Sequence, residues 1–425
     1  MASKDMSMEG WTRRMAHGAW DAGSWLTAML LFLFLSCADE PYEGTPSDVP
    51  HTGLPFVCLN TPDGADITRN DMDAMLELME PGSDMSHSFS ATVKGRGNTS
   101  WIAPKKPYSI TFDEPRSPFN LPSGRSWVLL ANYHDPAQLR NSLAFYLGSV
   151  AGGNSDVPQT CFVDLFVNNL YRGIYQWGES VEGVCSRMGA DVILEVDGKA
   201  RYHETTFHTS HLYHPLTIHL PEVSPDDATF QAITSYVQRA EDALFSEHFT
   251  DAVEGYRSYL DVGSFVEWYL VNEIAKNNDA AFYTSCFLHF AWGGKLRMGP
   301  PWDFDLSFGD YRYKNRRKIV NDPEGFYLRH VQWYERLFED PSFKALVKER
   351  FLHYDGHREE LLAHIDSTAA LLESKVFLDN CLWGRLGQKS ATMEQTETAY
   401  REEVEKLKEW LIHRMDWMRA HLEEL

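Results

Sequence analysis

The stretch from Asn277-Asn278-Asp279 to Gly299-Pro300-Pro301-Trp302-Asp303-Phe304-Asp305 constrains the fold more than any other part of the chain. Between its acidic ends runs Phe282-Tyr283-Thr284-Ser285-Cys286-Phe287-Leu288-His289-Phe290, then Trp292-Gly293-Gly294-Lys295 and Leu296-Arg297-Met298. The first run is rich in aromatic and short side chains, and the Gly-Gly pair is a turn signal, so the pattern predicts a hairpin. Phe265 to Lys276 reads as a helix leading into it. A hairpin returns the chain to its start, which brings Asp279 together with Asp303 and Asp305 at one end of a cleft. Carboxylates gathered in this way repel one another unless a cation lies between them, and Mg²⁺ with a polyphosphate fits that need.

The chain opens with Lys4, Arg13 and Arg14, then an apolar run from Trp25 to Ser36 that ends Leu33-Phe34-Leu35-Ser36-Cys37. That run is too short for a stable bilayer span but suits the core of a signal peptide. A small residue directly before Cys37 resembles a lipobox, with Phe34 departing from the usual Leu. Residues 1–37 are therefore expected to be an export leader with Cys37 lipidated, giving an exported, membrane-anchored lipoprotein facing the periplasm or the cell surface. The alternative is an ordinary signal peptide with an incidental Cys. Residues 38–53, rich in proline and acids, read as a tether, and 54–425 as the folded domain. A formal net charge of -22 argues against nucleic acid and anionic membrane surfaces as partners. Without Cys37, the widely spaced Cys58, Cys161, Cys185, Cys286 and Cys381 suggest buried thiols, not a zinc ribbon or a full disulfide framework. The histidines at 203, 208, 211, 214 and 219 read as a polar strand pair, not a metal set.

The amino-terminal half is strand-rich. Leu54–Asn60, Ser88–Lys94, Tyr108–Phe112 and the pair flanking Asn168-Asn169 all carry strand patterns. Gly95-Arg96-Gly97-Asn98 lets backbone approach an anion closely, although the ending of a P-loop is missing. Lys105 and Lys106 open the strand at Tyr108, and alternation favours Lys106 on the apolar face. Ala137–Val150 spaces Leu139, Leu143 and Leu147 along one helical face and contains no acid. Glu179 follows the second strand of the Asn168-Asn169 pair; a surface Glu at a strand end is the plain alternative. Ile193-Leu194-Glu195-Val196-Asp197 carries two acids of unassigned role.

Trp302-Asp303-Phe304-Asp305 with Asn278-Asp279 resembles the CotH kinase family of atypical, spore-coat-type kinases. Arg96-Gly97-Asn98-Thr99-Ser100, Pro104 to Ile110, Leu139 to Ala144, and Gly173-Ile174-Tyr175 with Glu179 match in the same order, over roughly residues 55 to 420. The resemblance implies an α+β, two-lobed, atypical protein-kinase-like fold. Residues 54–180 would form a strand-rich lobe and 181–425 a mainly helical one. It further implies ATP- and Mg²⁺- (or Mn²⁺-) dependent phosphoryl transfer to a Ser/Thr hydroxyl of an unidentified exported protein. Asp279 would be the catalytic acid-base group, and Asp303 and Asp305 the metal ligands. Arg96, Gly97, Lys105, Lys106 and Glu179 would serve the nucleotide. Two departures stand out: the 137–150 helix offers no Glu to pair with a strand Lys, and Thr284 occupies the position of the usual second metal-binding Asn.

Past residue 225 the periodicity turns helical, at Ala228–Leu244, Gly263–Lys276, Tyr334–His353, Leu361–Leu372 and Thr392–Leu425. Trp410, Ile412, Met415, Trp417 and Met418 form an apolar seam that reads as packing. Arg312, Lys314, Arg316, Arg317 and Lys318 form a dense basic run, read as a solvated loop or a phosphate-binding segment. Two non-kinase readings compete: a non-catalytic cell-surface module binding protein or glycan, and a glycosidase using Asp303 and Asp305.

Overall fold

The computed structural model describes residues 53–81, 86–150, 156–201, 204–309 and 321–425. The leader, Cys37 and nearly all of the tether lie outside those residues, as do His203 and the basic run at 312–318. The described chain is an α+β protein, as expected.

Its amino-terminal part is a closed seven-stranded barrel, in the order β1-β2-β3-β4-β5-β7-β6. The strands are β1 (Phe56–Asn60), β2 (Met72–Met79), β3 (Ser86–Gly95), β4 (Tyr108–Arg116), β5 (Gly124–Leu130), β6 (Thr160–Val167) and β7 (Leu170–Glu179). Neighbours pair antiparallel, and a parallel β1–β6 pairing closes the ring, which leaves no open edge. The interior-facing residues of alternating strands meet in a dry core of Val57, Leu76, Val93, Ile110, Trp127 and Trp177. Trp127 and Trp177 stack with ring centroids 5.6 Å apart. The β6–β7 turn places Asn168 and Asn169 at φ 53° and 64°, the left-handed pair that a tight hairpin requires and that Asn tolerates.

The remainder is not purely helical. A five-stranded sheet, β12-β11-β8-β10-β9, lies past residue 180. Its strands are β8 (Val192–Val196), β9 (Thr206–Phe207), β10 (Leu216–Leu220), β11 (Cys286–Phe290) and β12 (Arg297–Met298). β11 and β12 form the expected hairpin, with Gly293 at φ 80° in its turn. β8 sits between β11 and β10 and is buried on both faces, so its near-continuous apolar run reads no differently from a helix segment in sequence.

The helices are α1 (Thr99–Ile102), α2 (Arg140–Val150), α3 (Val181–Arg187), α4 (Ala228–Phe245), α5 (Val262–Ala275), α6 (Gln332–Leu337), α7 (Pro341–Gly356), α8 (Arg358–Glu373), α9 (Val376–Trp383) and α10 (Met393–Ala420), of which α3 and α9 pack on the barrel. The single helix expected over 334–353 is two. Pro341 starts the second, and Asp340 caps it by accepting from the Ser342 N–H at 2.8 Å. Thr392 and Gln395 form a capping box at the start of α10. Met415 and Met418 of its seam are buried, whereas Ile412 is exposed. None of the five described cysteines forms a disulfide; Cys58, Cys185 and Cys286 are buried as expected, whereas Cys161 and Cys381 are only partly so. No helix of the described residues is long and apolar enough to cross a membrane.

Candidate active site

The two acidic loops do meet, and side chains from three elements hold them. Helix α5 ends at Lys276, which adopts φ 49° and turns the chain sharply. Asn277 then ties the loops together: its amide donates to Asn272 Oδ1 at 3.0 Å and to the Trp302 carbonyl at 3.4 Å. The Asp279 N–H donates back to Asn277 Oδ1 at 3.2 Å. On the second loop Trp302 and Phe304 are buried against Phe145 of α2, while Asp303 and Asp305 keep partial access to solvent. Alternation of aromatic anchor and acid therefore aims both carboxylates to one side. Asp303 holds φ 63°, a left-handed conformation that Asp tolerates better than most residues.

The matched Leu139 to Ala144 segment acts on this loop. Asn141 Oδ1 accepts from the Phe304 N–H at 2.9 Å, and Arg140 Nε donates to the Ser307 carbonyl at 3.0 Å. Asn141 is in turn bonded to Asn132, and Asn132 to Gln176 of β7, each at 3.0 Å. A buried amide chain thus runs from the barrel to the acidic loop. This explains why α2 carries no acid: its first turn positions a carboxylate loop instead of pairing with a lysine.

The three carboxylates share a field. Burial first, then the charge of Asp303, raises Asp279 to about 6. Burial, the charges of Asp303, Asp279 and Asp135, and a hydrogen bond with Asp303 push Asp305 well above the usual carboxylate range. Ser285 Oγ donates to Asp303 Oδ2 at 3.4 Å. The facing cation is Arg96, whose guanidinium lies 5.2 Å above the Trp302 ring. Burial lowers the Arg96 pKa, and Asp303, Glu182, Glu195 and Asp305 oppose that shift.

The other expected nucleotide residues stand elsewhere. Lys105 is wholly buried, 2.8 Å from Asp379 of α9 and 4.8 Å from the Tyr175 ring centroid. Asp379 also holds Arg385 at 2.7 Å, and Arg385 reaches the Asp135 carbonyl at 2.7 Å. Burial brings Lys105 down to about 8. Although burial alone would raise it, the charges of Lys105 and Arg385 hold Asp379 below the usual carboxylate range. This network fastens the barrel to the helices, and the acid that pairs with Lys105 is Asp379 of α9. Strand alternation misplaced the lysines because β4 begins only at Tyr108. Lys106 lies on the incoming loop, donating to the Trp101 carbonyl at 2.7 Å.

Glu179 is buried and fully engaged. It accepts from Arg187 Nε at 2.8 Å, and its other oxygen accepts from Arg187 Nη2 and the Gln159 N–H, both at 3.0 Å. It clamps α3 to the barrel in place of a nucleotide contact. In the Gly95-Arg96-Gly97 turn, Gly97 holds φ 78°, and a Cβ on Gly95 would stand 2.2 Å from the Trp101 ring. The Gly95 N–H already donates to the Thr68 carbonyl at 2.6 Å, so it is not free to receive an anion.

Sequence reasoning left Glu195 unassigned, and it is part of the site. Its carboxylate accepts from the Ser285 N–H at 2.7 Å and from Thr284 Oγ1 at 3.3 Å. His219 stands 2.9 Å away. Burial would lower the His219 pKa, but the hydrogen bond and charge of Glu195 raise it. Thr284, buried and bonded to Glu195, is not aimed at the aspartates as a metal ligand would be. Lys199, missed entirely, lowers the Asp279 pKa against burial and lies 5.5 Å over the Tyr283 ring. Only the position of Lys199 close after β8 could have signalled this.

Among the described residues no group of three or more His, Cys, Asp or Glu side chains closes into a metal shell. The Asp303–Asp305 pair, faced by Arg96, is nevertheless a hard-oxygen donor set. Mg²⁺ is commonly held by one or two carboxylates, with phosphate and water oxygens completing the octahedron. The residues fit that lesser requirement.

An α+β domain carrying a carboxylate cluster opposed by one arginine defines the class. The family model described as CotH kinase protein matches residues 93–418, and the chain belongs to that family. A search of curated proteins returned no match.

Proposed function

We propose that this chain is an exported kinase that transfers the γ-phosphoryl group of ATP to a Ser or Thr hydroxyl of a protein, with Mg²⁺ or Mn²⁺. In this reading the barrel and the helix-rich part are the two lobes of an atypical kinase-like fold, and lipidated Cys37 anchors the enzyme outside the cytoplasm. The observation that carries the proposal is the convergence of Asp279, Asp303 and Asp305 opposite Arg96, with the Asp279 and Asp305 carboxyls pushed up by burial and by the charge of Asp303. Such a cluster costs stability when empty and gains it when a cation and phosphates arrive.

Asp303 and Asp305 would hold the divalent cation, which supplies charge neutralisation for the phosphates. Arg96 would screen the transferring phosphoryl group. Asp279, at about 6, is matched to accept a proton near neutral pH. The acceptor oxygen forms a bond to the γ-phosphorus as the bond to the bridging oxygen breaks. ADP leaves with that electron pair, and the hydroxyl proton passes to Asp279.

A glycosidase reading has less behind it, because the charges of Asp303 and Asp279 act together on Asp305, a crowding of three carboxyls that suits a cation better than the separated acid and base of glycoside hydrolysis. The non-catalytic surface module keeps one supporting observation, the engagement of Thr284 with Glu195. Thermal unfolding separates the two readings. With Mg²⁺ and ATP at about a hundred times Kd, stabilisation of about 2.7 kcal/mol is expected. ATP without metal should give far less. A glycan that shifts the transition while no nucleotide does would support the surface module instead.

A further inference from the structure

We infer that the mouth of this site selects acceptor segments carrying acidic side chains close to the phosphorylated hydroxyl; the inference rests on the kinase reading above. Arg69, Arg201 and Lys199 form a cationic rim. The Arg69 guanidinium donates to the Gly97 carbonyl. Arg201 Nη2 donates to Asn98 Oδ1 at 2.9 Å. Two guanidinium groups are thus drawn to adjacent residues of one loop, directly after Arg96. Their like charges act on one another, and burial together with Arg201 lowers the Arg69 pKa. Among the described residues none of the three forms an ion pair with a carboxylate. In a chain of net charge -22, cations left without carboxylate partners at one rim are open to an anionic ligand.

The choice of anion follows from which carboxylates these cations face. Arg96 acts on Asp303 and Asp305, the metal-side pair. Lys199 acts on Asp279, the acceptor-side base, and covers Tyr283, which is 40% exposed. An acceptor hydroxyl at Asp279 therefore lies in the field of Lys199, while Arg69 and Arg201 stand at Gly97 and Asn98, the two residues that follow Arg96. Asp or Glu side chains flanking that hydroxyl would meet charge-assisted donors. A basic acceptor would instead meet like charge. Negative selection of this kind gives specificity as much as attraction does.

The test uses fluorescent Ser-containing peptides with Asp/Glu, Asn/Gln or Lys/Arg flanks. Binding to the full chain is read by anisotropy without nucleotide, and transfer is read separately. Acidic peptides should bind roughly tenfold tighter than neutral ones, and the difference should shrink with salt. Arg69→Gln/Arg201→Gln should abolish that preference while leaving the shift given by Mg²⁺ with ATP unchanged. Arg69→Lys/Arg201→Lys, which keeps the charge and guards against a folding artefact, should retain most of it. Equal binding of acidic and neutral peptides would overturn the inference, as would loss of the nucleotide shift in the Gln variant, which would assign the rim to ATP. Acidic preference in binding with no transfer to any peptide would uphold the rim and refute the kinase reading.

Discussion

Asp303→Asn is expected to lower phosphoryl transfer by about a thousandfold and, in metal-free buffer at pH 8, to raise the melting temperature slightly. The first effect follows from removing a preorganised charge where the transition state gathers its own; such losses run to about 10²–10³ in rate. The second follows from the field at Asp279. Burial and the Asp303 charge raise that carboxyl to about 6 in the folded protein, against about 4 in an unfolded chain. A raised folded value means the native state holds the proton longer. Its contribution to stability is therefore complete below about pH 4 and is lost as pH rises through about 6. Burial is the larger cause, so Asn at 303 should return only about 1 kcal/mol of what is lost, or roughly 1–3 °C for a domain of this size. Added Mg²⁺ should stabilise the wild type more at pH 8 than at pH 5, and the variant little at either. A variant that melts lower than wild type at pH 8 without metal would show that the carboxylates do not repel as described.

Lys105→Met should act on folding, with a loss of about 3 kcal/mol. Removing one partner of a buried ion pair typically costs about 3–5 kcal/mol, because the other charge is left in the interior. Here Arg385 stays beside Asp379 at 2.7 Å, which places the loss at the lower end. The change also frees the Asp379 side of a tie between the barrel and α9, so local opening should increase around Ile174 and Asn132 in hydrogen exchange. Urea unfolding gives the number. A Lys105→Met protein of normal stability with a raised KM for ATP would mean that the lysine touches nucleotide, contrary to its burial against Asp379.

The contrast between these substitutions shows where the sequence was informative. Trp302-Asp303-Phe304-Asp305 was legible because its alternation is local: two aromatics anchor against Phe145 and the acid that follows each keeps partial access to solvent. The β11–β12 hairpin was legible from Gly293-Gly294 for the same reason. Lys105 was not, since its partner lies at 379 and no local pattern reports a contact across so much chain. Glu179 was misread because Arg187, which holds both its oxygens, sits on the next helix. Glu195 lay inside an apolar strand whose neighbours come from distant segments, and only the tertiary pairing turned it toward Ser285. Family resemblance supplied what locality could not, by marking Arg96 and the segment from Leu139 to Ala144 before their partners were known.

The most direct measurement of the central claim is transfer of radiolabelled γ-phosphate from ATP to Ser or Thr of exported proteins by the purified full chain. Wild type with Mg²⁺ or Mn²⁺ should label an acceptor, and both Asp279→Asn and omission of the metal should bring labelling close to background. Labelling that persists undiminished in Asp279→Asn, or a wild type that binds Mg²⁺ with ATP yet labels nothing, would contradict the account of these aspartates as a phosphoryl-transfer site.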